Sequence, residues 1–302
     1  MTRVLVLDGG MGRELMRMGA PFRQPEWSAL ALIEAPDAVR AAHVAFARAG
    51  AEVLTTNAYA VVPFHIGEAR FAADGTRLAA LAAALARSVA DEFGVRVAGS
   101  LPPALGSYRP DLFVADRARP IVEVLVAAQA GDVDVWLAET VSSVAEVRLV
   151  RAVLDDRGDH RPLWVSFTLD DEHAVAGRAG DGPARLRSGE LVADAVEAAV
   201  ALGAEMVAFN CSQPEVMEAA VGVAAAVTDV AIGVYANVFD QNDHEHYEGA
   251  NAGVWHLRGD VSPVRYREFA ERWVAAGATV VGGCCGVGPA HVSALSARWP
   301  RG

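Results

Sequence analysis

Eight short apolar runs recur along the chain, each closed by a turn signal and followed by an alanine-rich amphipathic stretch. They are RVLVLD (3–8), AEVLTTN (51–57), VRVAGS (95–100), VDVWLAET (133–140), LWVSFT (163–168), EMVAFNC (205–211), AIGVYAN (231–237) and ATVVGGC (278–284). They are rich in valine and leucine and show little polar alternation, which is how a strand reads when both of its faces are buried in a parallel sheet. The intervening stretches carry helix signals. One has Asp37 near its start and Gly50 at its end, and the last begins at Pro289, a favoured first helical position. Eight β-then-α units predict a single (β/α)8 TIM barrel over residues 1–302. No G-x-G-x-x-G follows the first run, which disfavours an open dinucleotide-binding sheet, and no linker divides the chain. Two long irregular stretches, 170–189 and 238–261, follow strands five and seven. In a barrel they lie on the C-terminal face, where active sites are built.

Composition narrows the partners. The 302 residues carry a formal net charge of −12 and no Lys/Arg-rich run. That argues against nucleic acid and against anionic membrane surfaces. No apolar run reaches the length of a transmembrane helix, and the N-terminus is too short for a signal-peptide core. A cytoplasmic location is expected, with homo-oligomerisation left open. In a reducing compartment three cysteines point to a metal, to catalysis or to burial rather than to a disulfide.

The polar residues that interrupt the strand patterns stand at their C-terminal ends: Asp8, Thr56, Asn57, Ser100, Glu139, Thr168, Asn210, Cys211, Asn237, Cys284 and Cys285. In a barrel these ends share one mouth, so Cys211 after strand six meets Cys284 and Cys285 after strand eight. Three thiolates at a mouth suit zinc and leave its fourth tetrahedral position open, as in a catalytic site. Glycines flanking the pair let the backbone turn both side chains toward one ion. From the residues alone other readings stay open. A cysteine in a strand is most often a small buried hydrophobe, adjacent cysteines also suit a redox pair, and no C-x-x-C is present.

LDGGMGREL, TTNAY, AGSLPP, LAET, WVSFT, FNCS and GGCCGVGPAHVSAL occur in this order over nearly the whole chain. Together they resemble the homocysteine S-methyltransferase family of zinc barrels. The resemblance implies zinc held by Cys211, Cys284 and Cys285, with the homocysteine sulfur as fourth ligand. Asn237 is the expected placeholder at that position before substrate arrives. It also implies Glu139 as partner of the substrate ammonium, oriented by Thr140, with Asp8 as a second anchor. The backbone N–H groups of Gly9, Gly10 and Met11 would hold the carboxylate, and Tyr59 would line the donor side, with Trp255 a weaker candidate.

The implied reaction is transfer of a methyl group from a sulfonium donor, S-methylmethionine or S-adenosylmethionine, to the thiol of homocysteine, giving methionine. Betaine or dimethylsulfoniopropionate are alternative donors, selenocysteine or another thiol an alternative acceptor, and a different metal-dependent barrel lyase or hydrolase is the rival class. The chain departs from the family after strand seven, with YANVFDQND, and after strand five, with AVAGRAGDGPARL. Both departures bear on the donor. His244 and His246 stand beside carboxylates and read as a solvated loop segment.

Overall fold

The computed structural model describes residues 3–171, 183–240 and 256–301. Its strands are β1 (Leu5–Val6), β2 (Val53–Thr55), β3 (Arg96–Leu101), β4 (Val135–Val141), β5 (Leu163–Phe167), β6 (Ala204–Asn210), β7 (Ala231–Tyr235) and β8 (Val280–Val281). All eight pair in parallel in the order β1-β8-β7-β6-β5-β4-β3-β2. The seam between the first two strands is closed by a parallel Leu7–Val53 bridge and by Glu52 N–H donating to Val6 C=O at 2.8 Å. The expected (β/α)8 barrel is therefore what the chain forms.

Each predicted run contains one strand, and the differences lie at the ends. The first and last strands are shorter than the runs 3–8 and 278–284 because their ends change partners. Asp8 N–H turns to Val53 C=O, and Gly283 N–H turns to Asp8 C=O. Helices follow the predicted stretches closely. Pro214–Val227 and Pro289–Arg298 begin on their prolines, and Val144–Asp156 begins with a capping box between Ser143 and Glu146. Helices at Met11–Arg17, Ser28–Glu34 and Pro63–Ile66 were not anticipated, being too short to show a period. No helix among the described residues is long and apolar enough to cross a membrane.

The barrel interior is layered. Leu7, Val53, Ala98, Val135, Leu137, Trp164, Met206, Ala208, Tyr235 and Val280 form one buried apolar cluster inside the sheet. One step further along the strands the same inward register carries Thr55, Ser100, Glu139, Ser166 and Asn210. The interior thus changes from a packed apolar plug to a polar floor at the C-terminal mouth. A larger shell of leucine, valine and alanine seals the helices onto the outside. Ends of the two long stretches are pinned above the mouth by antiparallel bridges Leu169–Leu186 and Phe239–Leu257. Residues 172–182 and 241–255, with His244, His246 and Trp255, lie outside the described residues.

Met206 fills the space that Gly233 leaves in this plug, since a Cβ on Gly233 would lie 3.2 Å from its sulfur. Met206→Ala is expected to cost about 2–5 kcal/mol of stability, as a cavity in a closed interior does. Urea unfolding with an unchanged m-value checks it.

Candidate active site

The three cysteines meet at the mouth. The sulfurs of Cys211 and Cys285 are 3.7 Å apart, those of Cys284 and Cys285 are 4.0 Å apart, and all three lie within 4.8 Å of one another. Two thiolates on one tetrahedral zinc, with Zn–S near 2.3 Å, stand roughly 3.8 Å apart. The donor set suits that ion, and two of the three spacings are close to that value. None of the three is in a disulfide.

Local chain geometry explains the gathering. Val287 N–H closes a turn onto Cys284 C=O at 3.0 Å, with Gly286 at φ +84° as its third residue. A type II turn needs glycine there. The first βα turn packs directly on this one: Gly10 N–H donates to Val287 C=O at 2.9 Å. A Cβ on Gly9 would sit 2.3 Å from the Val287 oxygen, and one on Gly10 would sit 2.4 Å from the Cys284 oxygen. These two glycines thus hold the cysteine turn, and the Gly10 N–H, expected to be offered to a substrate carboxylate, is already engaged.

Asp8 and Glu139 face the cavity. Asp8 accepts from Thr55 N–H at 2.7 Å and from the Thr55 hydroxyl at 3.1 Å; Glu139 accepts from the Ser100 hydroxyl at 2.5 Å. Burial pushes Asp8 up to about 7 and Glu139 up to about 8, with the Asp8 charge adding to the latter. Burial likewise drives His65 down to about 4, so it is neutral. Contacts with the Cys284 and Cys285 thiols, and the hydrogen bond from the Tyr108 hydroxyl, pull the Cys211 thiol well below its ordinary range.

The cavity has a volume of about 110 Å³ and opens to solvent. Asp8, Gly9, Gly10, Met11, Tyr59, Glu139, Thr140 and the three cysteines all line it. Asn237 does not. Its Oδ1 accepts from Gln213 Nε2 and from Phe239 N–H, both at 3.2 Å, so it caps a turn after β7 rather than facing the sulfurs. The group beside them is instead Tyr108, whose hydroxyl donates to the Cys211 sulfur at 2.8 Å. Arg187 stacks over the Tyr108 ring at 4.7 Å and is itself held by Asp171 at 2.6 Å. Thr168 also lies outside the lining; its hydroxyl pairs with Ser142.

Sequence reasoning missed Tyr108, Trp27, His65, Ser107 and Arg13, all of which line the cavity. Tyr59 and Ser107 share a hydrogen bond of 2.6 Å. Among the described residues four non-glycines have left-handed φ: Trp27 (50°), Tyr108 (62°), Thr140 (60°) and Cys211 (51°). All four line this cavity. Such strain costs about 1–3 kcal/mol each and persists at functional sites, where surrounding structure holds it.

Three convergent thiols beside two buried carboxyls at a barrel mouth form an enzyme-type site whose sulfurs could hold a metal ion. The homocysteine S-methyltransferase family model matches residues 5–299, and the chain belongs to that family. The homocysteine S-methyltransferase of Escherichia coli K12 is 32% identical, over 98% of this chain and 95% of that one. The crystal structure of the E. coli homocysteine methyltransferase MmuM in its metallated form superposes with a TM-score of 0.76 at 27% identity, covering 98% of this chain and 96% of the other. A selenocysteine Se-methyltransferase of Brassica oleracea var. italica is 26% identical over 97% of this chain and 88% of its own length. The chain is an S-methyltransferase.

The Glu139 shift has a testable sign. Its folded pKa lies above the unfolded value near 4.3, so its stabilising contribution is full below that value and is lost as pH rises to about 8. Glu139→Gln mimics the protonated acid. Its stability is expected to match the wild type near pH 4.5, to exceed it increasingly up to pH 8, and to level off above, by on the order of a few kcal/mol. Thermal unfolding of both proteins across this range measures the difference; a gap that shrinks as pH rises would contradict the assignment.

Proposed function

We propose that this enzyme transfers a methyl group from a sulfonium donor, S-methylmethionine or S-adenosylmethionine, to the thiol of homocysteine, using zinc held by Cys211, Cys284 and Cys285. The observation that carries the reading is the convergence of three free thiols at the mouth, with two sulfur spacings of 3.7 and 4.0 Å close to those of thiolates on one tetrahedral zinc and all three within 4.8 Å. Bound zinc would supply the positive charge that keeps an incoming thiol, with an ordinary pKa near 8.5, as a thiolate at neutral pH.

The chain's own residues do the rest. Tyr108 stands where the homocysteine sulfur has to arrive, so its hydroxyl gives up the contact with Cys211 as substrate enters. Glu139, with Asp8 behind it, receives the substrate ammonium; that cation stabilises the ionised carboxylate and returns its pKa toward the usual range. Thr140 fixes the backbone at which Glu139 turns inward. Met11 and the adjoining Gly9–Gly10 turn form the wall against which the amino-acid end lies. Trp27, Tyr59 and Phe239 present aromatic surface on the same cavity, suited to a sulfonium. The homocysteine sulfur then forms a bond to the methyl carbon as the donor C–S bond breaks. The donor leaves as a neutral thioether, and no general base acts at the methyl group.

About one zinc per chain is expected by metal analysis, falling to a small fraction in Cys284→Ala; full retention in a chain lacking all three thiols would refute the site. With homocysteine as acceptor, S-methylmethionine or S-adenosylmethionine is expected to turn over faster than betaine or dimethylsulfoniopropionate. A clear preference for betaine would move the chain to the alternative donor class. Glu139→Ala is expected to raise the homocysteine KM at least about tenfold, the cost of an unpaired charge in a closed site, while zinc content is kept.

A further inference from the structure

Asn210 ends β6 fully buried, and its amide makes four contacts at once. Oδ1 accepts from Thr140 N–H at 3.0 Å and from the Ser166 hydroxyl at 2.8 Å. Nδ2 donates to the Thr140 hydroxyl at 2.9 Å and reaches the Cys284 sulfur at 3.9 Å. Thr140 N–H can only donate, so it fixes which end of the amide is oxygen. The side chain therefore ties β4, β5 and the turn after β8 to β6, and the residue after it is Cys211.

The reason for such a hub lies in the β4–β5 ladder. Pairing runs in register to Ala138–Val165 and resumes at Val141–Phe167, leaving Glu139 and Thr140 outside it. A bulge of this kind leaves a backbone N–H without a ladder partner, and a buried N–H must find another. Thr140 also adopts φ +60°, a conformation its branched side chain resists. This left-handed step is what separates the inward Glu139 from the resumed strand. We propose that Asn210 is a positioning residue with two separable duties: its amide oxygen locks Thr140 in the left-handed step that turns Glu139 into the cavity, and its amide nitrogen steadies the Cys284 sulfur.

The residue type follows from both duties. Leucine would leave the Thr140 N–H orphaned. Serine is too short to span β6 to β4. Aspartate keeps an acceptor for Thr140 but has no N–H for the sulfur. The inference rests on the proposed roles of Glu139 and the cysteines, and the test separates the two.

Zinc affinity is measured by chelator competition with the metal alone, and homocysteine affinity by calorimetry on zinc-loaded protein, with circular dichroism reporting the fold. Asn210→Ala is expected to weaken zinc by about 10- to 100-fold, the usual loss when a supporting contact to a metal ligand is removed, and to weaken homocysteine by at least about 10-fold. Adding Thr140→Gly, which makes the left-handed step free, is expected to recover homocysteine affinity to within about 3-fold while zinc stays weak. Should Asn210→Ala not fold, Asn210→Asp serves: homocysteine affinity holds and zinc weakens about 10-fold. If Thr140→Gly fails to restore homocysteine binding in a folded double variant, or zinc affinity is unmoved in both Asn210 variants, the proposal is overturned. A wild-type chain that binds no zinc at all sinks the proposed function along with it.

Discussion

The structure depends on the close seating of the first βα turn against the turn that carries Cys284 and Cys285. That contact is backbone on backbone: Gly283 N–H to Asp8 C=O at 2.9 Å and Gly10 N–H to Val287 C=O at 2.9 Å. No side chain fits between the two turns, as the short Cβ distances at Gly9 and Gly10 show. The same contact closes the barrel beside its seam, places the Asp8 carboxyl at the mouth and aims two sulfurs toward the end of β6. A larger residue at Gly9 or Gly10 would act on the metal-type site and on the barrel seam together.

Around that contact the mouth is a region of withheld charge. Burial raises Asp8 to about 7 and Glu139 to about 8, so both titrate around neutral pH, and it keeps His65 uncharged. Arg13 is the one arginine among the described residues that lines the cavity, and it stacks on Phe239 at 5.4 Å. The three sulfurs contribute the remaining acidic groups. Such a site has little net charge while its acids are protonated, and it can release protons to match a cation that enters. Stability and binding are opposed here, because the carboxyls that an ammonium would ionise are those the fold keeps neutral.

Much of this was legible in the sequence, for identifiable reasons. Parallel strands buried on both faces leave continuous apolar runs, so the eight units and their order were visible. Polar residues ending those runs marked the mouth, and Asp8, Glu139 and the cysteines do meet there. Tyr108 and Trp27 left no such mark: each lies in a loop or at a short helix start, and each is placed by a left-handed backbone that composition does not announce. Asn237 misled for the opposite reason. It stands at a strand end like the others, but an asparagine there is equally able to bond its own loop, and Gln213 and Phe239 claim it. Gly9 and Gly10 were expected to offer backbone N–H groups to a carboxylate, whereas their lack of a Cβ serves packing on the cysteine turn and the Gly10 N–H is engaged by Val287.

Charge also gives the proposed reaction its direction. A sulfonium donor brings a positive charge to a cavity rich in ionisable acids and aromatic faces, where attraction and cation–π contact both favour entry. Transfer of the methyl group removes that charge: the donor becomes a neutral thioether, and the acceptor sulfur, formerly a thiolate, becomes a thioether as well. Neither product sulfur keeps the electrostatic attraction that its precursor had, and a thioether is a far weaker metal ligand than a thiolate. The Tyr108 hydroxyl, held over Cys211 by the Arg187 stack, is then the group poised to retake the position beside the sulfurs. In the proposed reaction, product release and return of Tyr108 to Cys211 follow from the same loss of charge that accompanies the displacement.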